Sequence, residues 1–205
     1  INAAYDMLHK ASKRVDGMSG TASGFYALDK MTSGWQDSDL IILAARPAMG
    51  KTAFALSMAK NIAIDQGVPM ALFSLEMSNV QLVNRLIVNT CEIKGEKIKS
   101  GQLEPYEWAQ LDKKIKDLYG KPLFIDDTPS LSVFELRTKA RRLVREHGVR
   151  IIMIDYLQLM NASGMNFNSR QEEVSTISRS LKGLAKELNI PIIALSQLNR
   201  GVENR

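Results

Sequence analysis

Cysteine, histidine and long apolar runs are what this chain of 205 residues has least of. A single thiol, Cys91, excludes a disulfide framework and suits a reducing cytoplasm. Two histidines added to that cysteine fall short of a four-ligand structural zinc site. No stretch approaches the ~20 apolar residues that span a bilayer, so no membrane partner is expected. The opening INAAYDMLHKASKR mixes acidic and basic side chains without an apolar core, and is not expected to act as a secretory signal.

What remains is ordinary globular composition, 45% hydrophobic and 24% charged, in a length that suits one domain with a sizeable core. The net charge of +5 is compatible with a polyanionic partner and does not require one.

The rest of the chain is organised around Leu40 to Leu56, LIILAARPAMGKTAFAL. An apolar strand-like run, Leu40 to Ala45, breaks at Arg46-Pro47 and resumes as a helix after Gly50-Lys51-Thr52. Strand, tight loop and helix start make the architecture of a phosphate-binding P-loop. Backbone N–H groups converge in such a loop, and the helix N-terminus adds partial positive charge. The residues expected to cradle a nucleotide are Arg46, Pro47, Ala48, Met49, Gly50, Lys51, Thr52 and Ala53. Lys51 would reach the terminal phosphates and the Thr52 hydroxyl would ligate Mg²⁺. Ala45 stands where the usual motif has its first glycine. The bland alternative is a chance GKT in a strand-to-helix turn.

Taken in order, residues 1–14 read as a short amphipathic helix, followed by linker chemistry from Gly17 to Gly24. The P-loop helix runs to about Asp65. Val68 to Leu75 reads as a buried strand ending at Glu76, and Asn79 to about Thr90 as a helix. Residues 91–104 read as loop or short turns. Pro105 opens a helix with the face Trp108, Leu111, Ile115 and Leu118, and Pro122 to Ile125 reads as a third strand. Asp126 and Asp127 behind it are read as turn residues. Ser132 and Glu135 form a capping box. The helix behind that box buries Val133, Leu136, Ala140, Leu143 and Val144, and its basic face is read as solvated surface. Val149 to Ile154 is a fourth strand ending in Asp155, Arg170 to Asn189 a long helix, and Pro191 to Leu195 a fifth strand.

Strands alternating with helices predict an α/β fold with a mainly parallel sheet, buried on both faces. Ligands on such sheets sit at the carboxyl ends of the strands. Lys51 and Thr52, Glu76, Asp155 and Gln197 all fall at such ends. Asp155 suits a second metal-holding role, against the alternative of an Asp that merely ends a strand. Glu76 could polarise water for attack on a γ-phosphate, or simply complement a helix dipole near Ser78. Gln197 could sense a γ-phosphate, or be a turn residue. The polar loop 161–169 and residues 199–205 follow strands on the same side. Arg200 and Arg205 are candidate phosphate contacts for single-stranded DNA, or surface arginines meeting water or a neighbouring subunit. No aromatic stacking platform accompanies them, Phe167 being the only candidate.

SLEMS (Ser74 to Ser78), IDYLQLM (Ile154 to Met160), SRQEEVSTISRSLKGLAKEL (Ser169 to Leu188) and ALSQLNRGVENR (Ala194 to Arg205) closely resemble the DnaB family of bacterial replicative DNA helicases. AARPAMGKT, with Ala45 in place of glycine, is similar to that family's own variant of the loop. The resemblance covers the chain from about Ser23 onward, and residues 1–14 resemble the family's linker helix. It implies a linker region over 1–22 and a RecA-like ATPase domain over 23–205. It also implies ATP and Mg²⁺ as cofactors and a homohexamer around single-stranded DNA, with 5′–3′ translocation in the cytoplasm. Primase and a helicase loader are the implied protein partners. The family's primase-interacting N-terminal domain, its arginine finger and much of its DNA-binding loop are expected to lie outside these 205 residues. Half of each composite ATP site would then be present. A different class of function, an ATP-switched RecA-like binding or assembly module without unwinding, would have no use for Glu76 as a base. A small-metabolite P-loop kinase is a third reading, and no Arg-rich lid insertion supports it.

Overall fold

The computed structural model describes residues 17–162, 167 and 169–198. The expected N-terminal helix at 1–14 and the arginines Arg200 and Arg205 lie outside the described residues. Five parallel strands form the centre: β1 (Leu40–Ala45), β2 (Met70–Ser74), β3 (Leu123–Asp126), β4 (Ile151–Asp155) and β5 (Ile192–Gln197), in the spatial order β1-β5-β4-β2-β3. The helices are α1 (Tyr26–Thr32), α2 (Lys51–Ala59, continuing as a π-helical turn over Lys60–Asp65), α3 (Asn79–Cys91), α4 (Gly95–Ser100), α5 (Pro105–Ile115), α6 (Val133–His147) and α7 (Arg170–Leu188).

Parallel strands need crossovers, and covering helices then bury both sheet faces, which is why β2 and β4 are apolar at nearly every position. Ile152 and Ile154 point into a core with Leu136 and Ala140 of α6 and Ile177 and Leu181 of α7. Ile151 and Met153 point the other way, into a core with Leu56 and Met58 of α2 and Leu82 and Leu86 of α3. Period-two alternation therefore splits one strand between two cores. Each fully buried Leu or Ile contributes roughly 1.5–3 kcal/mol.

Burial on both faces does not extend to the sheet edge. Among the described residues β1 is paired only with β5, and its Ile42 is 47% exposed. Ser19 and Gly20 donate N–H bonds to the Ser33 carbonyl, and Thr21 pairs antiparallel with Trp35, which ties residues 19–21 onto the domain.

The α5 face differs from the periodic expectation. Trp108 is 47% exposed, and Glu107 is the buried residue of that turn. The reason is polar: Glu107 accepts two hydrogen bonds from Lys97 Nζ, at 2.8 and 2.9 Å, and one from the Glu104 N–H at the helix start. Satisfying that carboxylate gives the inward place of the first turn to Glu107 and leaves the indole half exposed. Lys97 belongs to α4, which occupies part of the stretch expected to be loop or short turns. Leu118, Ile115 and Leu86 still meet around an apolar cavity, as the spacing suggests.

The α6 start carries the expected capping box, Ser132 Oγ accepting from Glu135 N–H and Glu135 accepting from Ser132 N–H. Its basic face is solvated, as expected, and carries ion pairs to its neighbours. Arg137 and Arg141 both pair with Glu187 of α7, and Lys139 pairs with Asp126 at 2.6 Å. Asp126 is thus the last residue of β3 holding an ion pair, rather than a simple turn residue.

Candidate nucleotide site

The carboxyl ends of the strands are brought into line by the sheet register. Ala45 is paired with Gln197, and Ser74 with Asp155. Beyond the ladders, Leu198 N–H still donates to the Ala45 carbonyl and Leu75 N–H to the Asp155 carbonyl. Gln197 therefore ends β5 itself, two residues later than the apolar run suggests, because β1 continues to pair with it.

Between β1 and α2 the chain turns through two residues of positive φ, Ala48 at 62° and Gly50 at 81°. A Cβ added at Gly50 would meet nothing within 4 Å, so glycine is required there by the left-handed backbone and not by crowding. Ala48 accepts the same region at a cost of about 1–2 kcal/mol, the kind of strain that clusters at ligand-holding loops.

A cleft of about 390 Å³ opens over this loop, lined by Arg46, Pro47, Ala48, Gly50, Lys51, Thr52 and Ala53, with Glu76, Arg85 and Gln197. Met49 is the loop residue that does not line it. Its side chain is 73% exposed and its N–H donates to the Arg46 carbonyl. At the base of the site Thr52 Oγ1 donates to Asp155 Oδ2 at 2.8 Å. Lys51 Nζ lies 3.5 Å from Asp155 Oδ1 and 4.1 Å from the centre of the Tyr156 ring. Both side chains are nearly enclosed, 9% and 3% exposed. That separation is an ion-pair distance without hydrogen-bond geometry, and among the described residues neither Lys51 Nζ nor Asp155 Oδ1 has a hydrogen-bond partner. A buried ammonium carries three donors, so the arrangement is electrostatically balanced and chemically incomplete. It has one carboxylate, one hydroxyl and one ammonium at the base of the loop Arg46 to Ala53. Magnesium is usually held by one or two carboxylates together with substrate phosphates, and this donor set fits such a group.

Glu76 is placed by local bonds. Ser74, buried at the end of β2, donates through Oγ to the Met77 carbonyl and accepts the Met77 N–H, closing the turn that carries Glu76. Ser78 caps α3 in a capping box with Gln81, and Asp127 accepts the Asn79 N–H at 2.8 Å. The Tyr156 phenol is pushed up first by burial, then by the charges of Glu76 and Asp155, which puts the Glu76 carboxylate in the field of the same site.

Arg85 is a member of the cleft that the strand-end pattern does not reach. It sits on α3 between Leu82 and Leu86, which are buried and so turn the guanidinium toward the cleft. A lone charge inside LVNRLIV, apolar but for Asn84 beside it, is the signal that could have found it. Tyr156, whose ring lies against Lys51, is likewise not singled out by the strand-end pattern, and its place directly after Asp155 is the signal there. Among the described residues no group of three or more His, Cys, Asp and Glu is set to hold a metal by itself, and no helix is long and apolar enough to cross a membrane.

Comparison with known proteins shows the family and the fold. Residues 20–205 match the model of the DnaB-like helicase C terminal domain. The replicative DNA helicase DnaB of Geobacillus stearothermophilus is 49% identical over 201 residues, which is 98% of this chain and 44% of that protein. The replicative DNA helicase DnaC of Bacillus subtilis is 47% identical over 201 residues, again 98% of this chain and 44% of that protein. The chain spans less than half the length of the curated relatives it matches. Among solved structures, one of an isolated ATPase domain superposes with a TM-score of 0.92 at 40% identity, covering 100% of this chain and 73% of that one. A DnaB-like replicative helicase, solved in a study of its interactions with primase, gives 0.88 at 40% identity, covering 100% of this chain and 50% of that one. With nearly its whole length matched in sequence and fold, the chain belongs to the DnaB-like helicase C-terminal domain family.

Proposed function

We propose that these residues form the ATP-hydrolysing motor of a replicative DNA helicase, which couples hydrolysis to 5′–3′ movement along single-stranded DNA. In this reading residues 1–22 are the linker and 23–205 the motor domain, working as a homohexamer in the cytoplasm with primase and a helicase loader as partners. The observation that carries it is the Lys51–Asp155–Thr52 cluster under the loop, enclosed and short of hydrogen-bond partners on the side where a polyphosphate would lie.

ATP is the substrate and Mg²⁺ the cofactor in this proposal. Thr52 and Asp155 would hold Mg²⁺, which supplies charge neutralisation to the phosphate oxygens. The backbone from Arg46 to Ala53 orients the phosphates. Lys51 exchanges its long contact with Asp155 for charge-assisted bonds to phosphate oxygens. Glu76, exposed at the rim on a braced turn, accepts the proton of the attacking water. Gln197, at the rim and on the last position of β5, can both donate to and accept from a terminal phosphate group. Arg85 adds a fixed positive charge on the α3 side.

The test is ATP hydrolysis by the assembled protein, with and without single-stranded DNA. Stimulation by DNA, lost in Lys51→Ala, supports the motor. Nucleotide binding that proceeds with no hydrolysis in any assembly favours an ATP-switched assembly module instead.

A further inference from the structure

The last residues of β5 have lost one neighbour. The β4–β5 ladder stops at Ile154 and Ala194, whereas β1 stays paired out to Ala45 and Gln197. On the side that β4 has left stands Gln158, in the 3₁₀ turn Leu157–Leu159 that follows β4. Its amide oxygen accepts the Gln197 N–H at 3.2 Å. Its amide nitrogen donates to the Gln197 carbonyl at 3.1 Å and to Ser196 Oγ at 2.8 Å. A primary amide offers the donor and acceptor pair of a peptide group, so one side chain does the work of the missing strand.

The same residue faces α7 through its backbone. The Gln158 carbonyl accepts from Arg170 Nη2, and Arg170 Nη1 pairs with Glu173 one turn along. Arg170 Nη2 also reaches the Met160 carbonyl at 3.5 Å, and Glu173 Oε1 accepts the Ala162 N–H at 3.4 Å. An unbroken run of hydrogen bonds therefore leads from the backbone of Gln197, through Gln158, to the first turn of α7. Gln158, Arg170 and Gln197 also line one open cleft beside the loop, together with Pro47 and Tyr156.

We propose that Gln158 is a positioning residue. It holds the end of β5 so that the Gln197 side chain meets the terminal phosphate, and it ties that strand end to the start of α7. The inference rests on the reading of Gln197 as the phosphate-sensing group. It does not place Gln158 in contact with nucleotide. Removal of the clamp would leave the loop and Lys51 intact, so binding would persist while turnover fell.

The experiment is steady-state ATP hydrolysis by the assembled protein and by its Gln158→Leu, Gln158→Glu, Gln197→Ala and Gln158→Leu/Gln197→Ala variants. Gln158→Leu is expected to lower kcat about tenfold with KM for ATP within about twofold, and the double variant to fall no further than Gln197→Ala alone. Gln158→Glu keeps an acceptor for the Gln197 N–H and loses the donors, so it should lie between wild type and Gln158→Leu. It also serves as the folded comparison if the leucine variant melts early. Losses that add in the double variant, or wild-type turnover in Gln158→Leu beside an impaired Gln197→Ala, would overturn the positioning role. Wild-type turnover in Gln197→Ala would overturn the sensor reading itself.

Discussion

Thr52 and Asp155, 103 residues apart in the chain, are joined by a 2.8 Å hydrogen bond between the first turn of α2 and the end of β4. That bond pulls the loop's hydroxyl onto the carboxylate buried beneath it, and Lys51 sits beside both. The hydroxyl, the carboxylate and the ammonium are therefore held together at the enclosed end of the cleft.

Loss of the Lys51 ammonium should be felt in affinity. Lys51→Ala is expected to weaken ATP binding by about 10–100-fold, the worth of the charge-assisted bonds it can make. Titration with a fluorescent ATP analogue measures it. Unchanged affinity would rule out the loop as the phosphate cradle.

Asp155→Asn separates metal binding from folding. Affinity for nucleotide in Mg²⁺ should fall to the level seen with a chelator. The buried Lys51, left facing a neutral amide, should lower stability by about 1–3 kcal/mol. Parallel binding and denaturant-melting curves read the two effects, and a variant that keeps its Mg²⁺ preference would count against the assignment.

Glu76→Gln tests chemistry against switching. A neutral amide keeps the size of the side chain and cannot take the proton from water. Hydrolysis should drop by about 10²–10⁴-fold while nucleotide affinity stays near wild type. Turnover at the normal rate would mean that another group activates the water.

Arg85 carries the part of the cleft that the sequence does not advertise. Arg85→Ala should weaken ATP binding by about 3–10-fold. Arg85→Lys should recover only part of it, since a point charge replaces a planar fork. Identical titrations for all three proteins would remove Arg85 from the site.

Four carboxylates outside the site predict the acid limb of stability. Glu107 is held below the usual range by its hydrogen bonds from Lys97, Glu187 by Arg141 and then Arg137, and Glu135 by the Ser132 N–H and hydroxyl. Burial pushes Asp126 up, but hydrogen bonds from Lys139 and Thr128 outweigh it and leave it lowered. Each group binds protons more weakly folded than unfolded. Its stabilisation is therefore complete above the unfolded value of about 4 and disappears as pH falls through the folded value. Melting temperature should be level from neutral pH to about 5 and drop steeply below 4. Glu187→Gln should make that drop shallower. A melting temperature that rises on acidification would contradict the sign.

Local pattern makes much of this molecule readable from its residues. The strand-loop-helix around Gly50, the capping box at Ser132 and the apolar stripe of α7 each depend on residues within a few positions of one another. Their physics is complete within the segment. The polar residues at the strand ends are readable for a related reason: parallel strands place all their carboxyl ends on one side. The Trp108 face escapes periodicity because its competing contact, Lys97 with Glu107, joins two helices that a periodic pattern treats separately.

By itself the sequence determined the alternation of the five strands with the main helices, the strand-loop-helix around Gly50, and that Lys51, Thr52, Glu76, Asp155 and Gln197 stand at strand ends. The tertiary structure alone decided the order β1-β5-β4-β2-β3, which sets Gln197 beside the loop and Glu76 beside Asp155. It also decided that Arg85 faces the cleft and that Gln158 takes the place of β4 at the end of β5. Strand pairing and helix orientation are settled by contacts between residues far apart in the chain. No local period encodes those contacts, because each becomes favourable only after the others have formed.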